Sequence, residues 1–139
     1  MRIGIIGGTG PAGSGLALRM SVAGHQVVLG SRSKDRSEEK AAELVKQWPD
    51  YGLKFETGTN ADAAECELIV VATPWDSTAT IVGEHAEALR GKIVVTMANA
   101  LVRVGKEFQP LVPPRGSIAA HVQAEIPGSR VVAAMQHLP

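Results

Sequence analysis

A glycine-rich turn between an apolar strand and a helix constrains the fold of this chain more than any other feature. Residues 2–6, RIGII, have the composition of a buried strand, and the segment IIGGTGPAGSG follows without a break. Glycine is needed there because the backbone bends tightly and because the next helix must lie close to the strand. The glycines fit two spacings, Gly8, Gly10 and Gly13 or Gly7, Gly10 and Gly13, and both remain open. Such a turn opens a strand–helix–strand unit.

Short β-rich runs alternate with helical patterns along the whole chain, and several runs are unbroken Val, Ile and Leu segments of the kind that helices cover on both faces. We predict strands at residues 2–6, 26–30, 53–57, 67–73, 92–98 and 130–135. Helices are predicted after the glycine turn, near 37–48, 60–65 and 76–89, and across GSIAAHVQAEIPG. The pattern predicts an α/β fold: a doubly wound parallel sheet with the Rossmann strand order 3-2-1-4-5-6, as a single domain over residues 1–139.

Composition excludes several functions. Lys plus Arg and Asp plus Glu each number 14, so the chain has no overall basic charge to bind nucleic acid. The N-terminus is apolar for only a few residues, which favours a strand over a signal peptide, and no run approaches membrane-spanning length. Cys66 is the one cysteine and has no partner for a disulfide or a metal site. We expect a cytoplasmic protein that binds neither nucleic acid, membrane nor metal.

Two further expectations concern packing. The segment LVRVGKEFQPLVPPRG, residues 101–116, contains three prolines and predicts an extended surface loop before the last helix. Trp48, at the end of the second predicted helix, and Phe55, in the third predicted strand, are expected to lie in the core.

The residues after the second predicted strand indicate which dinucleotide the domain binds. About twenty residues past the glycines, an NAD-specific domain carries an acid that binds the adenosine ribose 2′-hydroxyl. This chain has Gly30, Ser31 and Arg32 there. A hydroxyl and a guanidinium bind a 2′-phosphate, and Arg36 or Lys34 is placed to close over it, so the sequence predicts NADP. The alternative is that these basic side chains only solvate the beginning of a helix.

Four segments together resemble the NADPH-dependent coenzyme F-420 (F420) reductases: GGTGPAGSGLALR, AGHQVVLGSRS, VVATPWD and RGKIVV. Enzymes of this family pass a hydride between NADP and a deazaflavin, coenzyme F420. The resemblance spans nearly the whole chain and implies an NADP-dependent oxidoreductase with small-molecule cofactors. It also implies a homo-oligomer, a dimer.

The resemblance also implies which residues bind the cofactor. The glycine motif contributes Gly7, Gly8 and Gly13. Residues matched to the pyrophosphate are Thr9, Gly10, Pro11 and Ala12, and those matched to the 2′-phosphate are Ser31, Arg32 and Arg36. Residues matched to the nicotinamide ribose and ring are Thr73, Pro74 and Trp75, after the fourth strand, and Ala98 and Asn99, after the fifth.

The chain departs from this family in three places. Family members continue into a helical C-terminal portion that helps to form the deazaflavin pocket and the dimer, whereas this chain stops at MQHLP. Gln136 stands where relatives often have His, with His137 one place on, and TMANA lacks a proline that relatives often carry. The deazaflavin pocket is therefore expected to need a C-terminal portion or a partner chain.

Hydride transfer between two cofactors demands orientation and exclusion of water from the protein, and no catalytic side chain is assigned here. Short-chain dehydrogenases need a Tyr-x-x-x-Lys pair, which Tyr51 and Lys54 do not provide at that spacing. One alternative function is an NADP-binding redox sensor or regulatory module without turnover. Another is the ferric-reductase-like NADP domain of membrane metalloreductases, which also carries a G-S-R segment.

Overall fold

The computed structural model describes residues 1–137. Its strands are β1 (Arg2–Ile6), β2 (Gln26–Ser31), β3 (Phe55–Thr59), β4 (Leu68–Val71), β5 (Ile93–Thr96), β6 (Leu101–Val104), β7 (Glu107–Pro110) and β8 (Arg130–Ala133). Its helices are α1 (Pro11–Val22), α2 (Lys34–Gln47), α3 (Asn60–Ala64), α4 (Trp75–Gly83), α5 (Ala86–Leu89) and α6 (Ile118–Glu125), with a short 3-10 helix at Pro49–Tyr51. Among residues 1–137, no helix is both long and apolar enough to cross a membrane.

Six of the strands form one parallel sheet in the order β3-β2-β1-β4-β5-β8. The sixth predicted strand is β8, so the predicted doubly wound sheet and its strand order are confirmed. Alternate strand residues face opposite sides, and each side buries its own apolar cluster. Ile3 and Ile5 of β1 pack with Leu16 and Ala17 of α1 on one face. On the other face, Ile69 of β4 packs in a cluster that includes residues of α3 to α6.

Several element boundaries differ from the predicted ones, and β4, β5 and β8 are each two or three residues shorter than predicted. Strand β3 begins at Phe55, two residues later than predicted, and extends to Thr59. Helix α2 begins at Lys34 because Ser33 already has the extended backbone of an N-cap residue. The helix predicted at 76–89 is two helices, α4 and α5, with His85 as the N-cap residue of α5.

The predicted surface loop at 101–116 was wrong in its first part, where β6 and β7 form an antiparallel hairpin. Val104 pairs with Glu107 across a turn that contains Gly105 at φ +62. The three prolines do not interrupt the pairing because the first, Pro110, is the last residue of β7 and the others follow it. The hairpin is held to the body at Leu101, whose carbonyl accepts a hydrogen bond from Nε1 of Trp75 at 3.0 Å.

The prediction that Trp48 lies in the core was wrong. Its side chain is 40% exposed and meets the ring of Tyr51 edge to face, with ring centroids 5.8 Å apart. Trp48 ends α2 as its C-cap residue, and Pro49 then begins a 3-10 helix, so the indole stays at the periphery. Phe55 is partly buried against the cluster that contains Leu44.

Cys66 is buried in the cluster beneath α3 to α6, with 2% of its surface exposed. Burial raises the pKa of its thiol, because the apolar surroundings disfavour the thiolate. We expect iodoacetamide to modify native Cys66 about tenfold or more slowly than the urea-unfolded chain at neutral pH. A pKa raised by folding also means that the free energy of unfolding falls as pH rises above the ordinary thiol pKa. Equal alkylation rates in both states would contradict the buried placement.

Candidate functional site

A cleft of about 400 Å³ opens at the carboxyl ends of the central strands, where the strand order reverses between β1 and β4. Open α/β sheets bind their ligands at this topological switch point. The lining residues come from the connections after β1, β2 and β4, from the last residue of β2, and from α2, α3 and α4. They are Gly7, Thr9, Gly10, Ser31, Arg32, Arg36, Asn60, Ala72, Thr73, Pro74, Ser77 and Ile81.

The glycine turn is crowded at Gly7, Gly8 and Gly13, so it is compatible with both spacings that the sequence left open; a Cβ on Gly8 would lie 3.0 Å from the carbonyl oxygen of Ile5. Gly7 has φ +74, a backbone conformation that other residues rarely adopt. A Cβ on Gly13 would lie 2.7 Å from the carbonyl oxygen of Gly7 and 2.8 Å from Cα of Gly8, so α1 packs too closely for any side chain. A Cβ on Gly10 would make only an ordinary contact, 3.6 Å from the carbonyl oxygen of Gly7. The turn therefore leaves its backbone accessible at Gly10.

Helix α1 begins at the cleft with unpaired backbone donors. Gly10 is the N-cap residue, has an extended backbone, and places Pro11 in the first helical position. The N–H of Gly10 bonds to the Gly7 carbonyl at 3.2 Å, and proline has no N–H to offer. The N–H groups of Ala12 and Gly13 have no intrahelical acceptor in the first turn. These donors and the helix dipole favour an anion beside Gly10.

The segment after β2 brings positive charge to the same cleft. Ser31 is buried, and its Oγ lies 3.4 Å from Oγ1 of Thr9 across the cleft. Arg32 and Arg36 line the cleft with exposed side chains, and neither forms an ion pair within residues 1–137. Lys34 points elsewhere and pairs with Glu38 at 3.7 Å. No carboxylate lines this cleft among the described residues, so its two guanidinium groups have no acidic partner there.

Asn60 is a cleft residue that sequence reasoning missed. Its Oδ1 accepts a hydrogen bond from the N–H of Gly7 at 3.1 Å. The close approach of α3 to β1 and β2 depends on glycines in these two strands. A Cβ on Gly4 would overlap the carbonyl oxygen of Ala63, and one on Gly30 would lie 2.7 Å from Cβ of Ala63. Without those methyl groups, α3 rests directly on β1 and β2 and its first residue reaches the glycine turn.

A capping box fixes where α3 begins. The Oγ1 of Thr59 accepts from the N–H of Asp62 at 3.3 Å, and the Asp62 carboxylate accepts from the Thr59 N–H at 2.7 Å. Hydrogen bonds from the backbone and hydroxyl of Thr59 hold the pKa of Asp62 below its usual value. The signal for Asn60 was therefore present in the sequence as T-N-A-D at the carboxyl end of a strand.

The connection after β4 forms the opposite wall. Thr73 and Pro74 line the cleft, together with Ser77 and Ile81 of α4, which sequence reasoning also missed. Thr78 is buried behind them, and its Oγ1 donates to the Pro74 carbonyl at 2.8 Å. These contacts fix the wall at the beginning of α4.

Three predicted nicotinamide-side residues lie outside the cleft. Trp75 packs against the cluster beneath α3 to α6, and its indole N–H donates a hydrogen bond to the Leu101 carbonyl of the hairpin. Ala98 and Asn99 line a separate depression of about 290 Å³ between β5, the hairpin and the segment after β8. The Nδ2 of Asn99 donates to the Gln136 carbonyl at 3.2 Å, which joins the chain after β5 to the chain after β8.

The sheet order, the glycine turn and the cleft together define a Rossmann-type nucleotide-binding domain. Residues 2–100 match the family model described as NADP oxidoreductase, coenzyme F420-dependent. This match covers more than half of the chain, and the chain belongs to that family.

Individual relatives agree with the family. The chain is 37% identical over 146 aligned residues to an F420-dependent NADP reductase of Methanocaldococcus jannaschii, covering 99% of this chain and 64% of that protein. It is 35% identical over 96 residues to an F420-dependent NADP reductase of Methanothermobacter marburgensis, covering 68% of this chain and 43% of that protein. A crystal structure of a candidate F420-dependent NADP reductase from an Arthrobacter species superposes with a TM-score of 0.77 at 29% identity, covering 96% of this chain and 61% of that one. The chain thus spans less than two thirds of each.

Proposed function

We propose that this chain is the NADP-binding part of an oxidoreductase that transfers a hydride between NADP(H) and the deazaflavin coenzyme F420. The observation that carries the proposal is the pair of arginines, Arg32 and Arg36, which share one cleft with the glycine turn and lack an acidic partner among the described residues. The matched family and the names of the relatives supply the second cofactor.

The binding roles follow the chemistry of each part of the cleft. The pyrophosphate lies beside Thr9, Gly10, Pro11 and Ala12, where the backbone donors of α1 are free. The 2′-phosphate is held by the hydroxyl of Ser31 and by the guanidinium groups of Arg32 and Arg36, since charge-assisted bonds to phosphate are strong. Gly7, Gly8 and Gly13 belong to the same cofactor-binding turn, and Gly7 itself lines the cleft.

The nicotinamide end extends from Thr73 and Pro74 toward the depression at Ala98 and Asn99. The hydrogen bond between Asn99 and Gln136 supports this proposal, because both residues line that depression and the bond orients the carboxamide of Asn99. Trp75 contributes by holding the hairpin against α4.

We also propose that residues 1–139 form one dinucleotide-binding domain of a cytoplasmic dimer. The family resemblance supports the dimer, and the free, buried thiol of Cys66 agrees with a reducing compartment.

NADP and the deazaflavin, when bound, supply the hydride donor and the hydride acceptor. The chain's own residues then bind NADP and orient it. The arginines and the N-terminus of α1 fix the adenosine and pyrophosphate portions, so the rest of the dinucleotide starts from a defined point. No side chain of the cleft is required to transfer a proton.

The proposal is tested by mixing NADPH and oxidised F420 with the purified chain, alone and together with the C-terminal portion of the Methanocaldococcus jannaschii relative, and following the absorbance of the oxidised deazaflavin. In the mixture that contains both portions we expect that absorbance to fall with NADPH and to fall much more slowly with NADH at equal concentration. Tight NADPH binding with no loss of deazaflavin absorbance in either mixture would contradict hydride transfer and favour a sensor. Failure to bind NADPH would contradict both.

A further inference from the structure

Asn60 occupies a junction between the two segments that the proposed function assigns to NADP. Its Oδ1 accepts a hydrogen bond from the Gly7 N–H at 3.1 Å. The same oxygen would lie 3.2 Å from a Cβ built on Gly30, so the carboxamide sits between the ends of β1 and β2. It also lines the cleft that contains Thr9 and Arg32. The adenosine ribose of a dinucleotide lies in this region of a Rossmann fold, between the glycine turn and the end of the second strand.

The orientation of this carboxamide is fixed by its partner. A backbone N–H requires an acceptor, so the atom facing Gly7 is the oxygen, and the –NH2 group points the other way. No residue of 1–137 accepts a hydrogen bond from Nδ2 of Asn60. No buried side-chain nitrogen or oxygen of the described residues lacks a partner, so Nδ2 is accessible to solvent. The cleft thus has a neutral donor that the protein itself does not use.

We propose that Asn60 binds the dinucleotide in two ways, holding the glycine turn through Oδ1 and donating a hydrogen bond from Nδ2 to an oxygen of the adenosine ribose-phosphate. This inference rests on the proposed NADP function and adds a residue to it. A carboxamide suits this position because its oxygen and its –NH2 group serve two different partners at once. Neither aspartate nor a small apolar residue does both.

A purely structural role for Asn60 predicts a different effect of substitution on ligand affinity. If it served only to accept the Gly7 N–H, the near-isosteric Asn60→Asp would serve equally well, because a carboxylate also accepts. If Nδ2 donates to the ligand, Asn60→Asp replaces that donor with an anion that faces phosphate oxygens. The aspartate variant therefore separates the two roles.

The experiment titrates four proteins, wild type, Asn60→Ala, Asn60→Asp and Ala61→Asp, with NADPH and with adenosine 2′,5′-bisphosphate in a calorimeter. Ala61→Asp is the matched charge control, because Ala61 is the next residue and is exposed. We expect Asn60→Ala to weaken both ligands about tenfold through loss of a hydrogen bond. We expect Asn60→Asp to weaken them further while keeping a melting temperature near that of wild type. Ala61→Asp should weaken them about threefold at most, since an exposed charge is screened.

The outcomes distinguish failure of the donor role of Asn60 from failure of the proposed NADP binding. Asn60→Asp with wild-type affinity, or a loss no larger than that of Ala61→Asp, would overturn the donor role while NADPH binding by wild type stands. A loss for NADPH alone, with the bisphosphate unaffected, would overturn the placement at the adenosine half. If Asn60→Ala fails to fold, the side-chain amide signal of Asn60 in a nitrogen–proton correlation spectrum of wild type replaces it. That signal should shift on saturation with the bisphosphate, and an unmoved signal would overturn the proposal. If the wild-type protein bound neither ligand, that result would instead contradict the proposed function.

Discussion

Replacing Arg32 with glutamate should weaken NADPH binding by about 2 kcal/mol or more, roughly thirtyfold, and leave NADH binding nearly unchanged. Arg32 lines the cleft without an acidic partner among the described residues, so its guanidinium is available to a phosphate. The substitution removes a charge-assisted hydrogen bond and adds repulsion toward the 2′-phosphate, a group that NADH lacks. Calorimetric titration of both coenzymes measures the difference.

Lys34→Glu is the matched control for this prediction. Lys34 is two residues away, carries the same charge, but lies outside the cleft and pairs with Glu38. We expect the lysine substitution to change NADPH affinity by only a few-fold. Equal losses for the two variants would mean that NADPH responds only to the general charge of this surface. Equal weakening of NADPH and NADH by Arg32→Glu would mean that the 2′-phosphate lies elsewhere.

Two glycines of α1 should respond in opposite directions when each is replaced with alanine. Gly13→Ala is expected to lower the free energy of unfolding by about 2 kcal/mol, because its Cβ would lie 2.7 Å from a backbone oxygen and the turn must shift. Gly15→Ala is expected to raise it by roughly 0.5–1 kcal/mol, because its Cβ meets only the flexible end of Arg19 at 3.9 Å. Urea unfolding of both variants and of wild type measures the two changes.

The sign of the difference is the decisive result, because both substitutions add one methyl group to the same helix. Stabilisation by Gly13→Ala would contradict the close packing of α1 against the glycine turn. Gly13→Ala should also weaken NADPH, since the turn that moves carries Gly10 beside the proposed pyrophosphate site. Gly15→Ala lies on a part of α1 outside that cleft and should leave NADPH affinity unchanged.

Much of the fold could be predicted because the central strands of the sheet are buried on both sides. Unbroken apolar runs such as those of β1 and β4 have few alternatives to a parallel sheet, and the glycine turn identified the first of them. The hairpin was missed because prolines were taken as marks of irregular chain, although Pro110 falls only at the end of β7. Trp48 was missed because hydrophobicity alone does not reveal which face of a helix end is covered.

Within the candidate site, local sequence located the residues whose position relative to the glycines is regular. Ser31, Arg32 and Arg36 all lie in the cleft, as does Thr73. Asn60 was missed because its place depends on glycines from two other strands that allow α3 to approach the sheet. The resemblance matches Asn99 to the nicotinamide side of the cofactor, and in the structure Asn99 lines a depression separate from the cleft, so its role stays a prediction. The T-N-A-D capping pattern indicates where α3 begins, but the contact between Asn60 and Gly7 joins segments 53 residues apart, and no single stretch of sequence predicts it.

The hydrogen bond from the N–H of Gly8 to the carbonyl of Gly30, 2.8 Å long, joins the glycine turn to β2 at the residue before Ser31. The spacing between the proposed pyrophosphate and 2′-phosphate regions is thus set in part by main-chain atoms. Coenzyme preference could then change by exchanging the side chains at positions 31, 32 and 36, while the main-chain spacing between the glycine turn and the end of β2 stays the same. A lineage could move from one pyridine nucleotide to the other without rebuilding its framework.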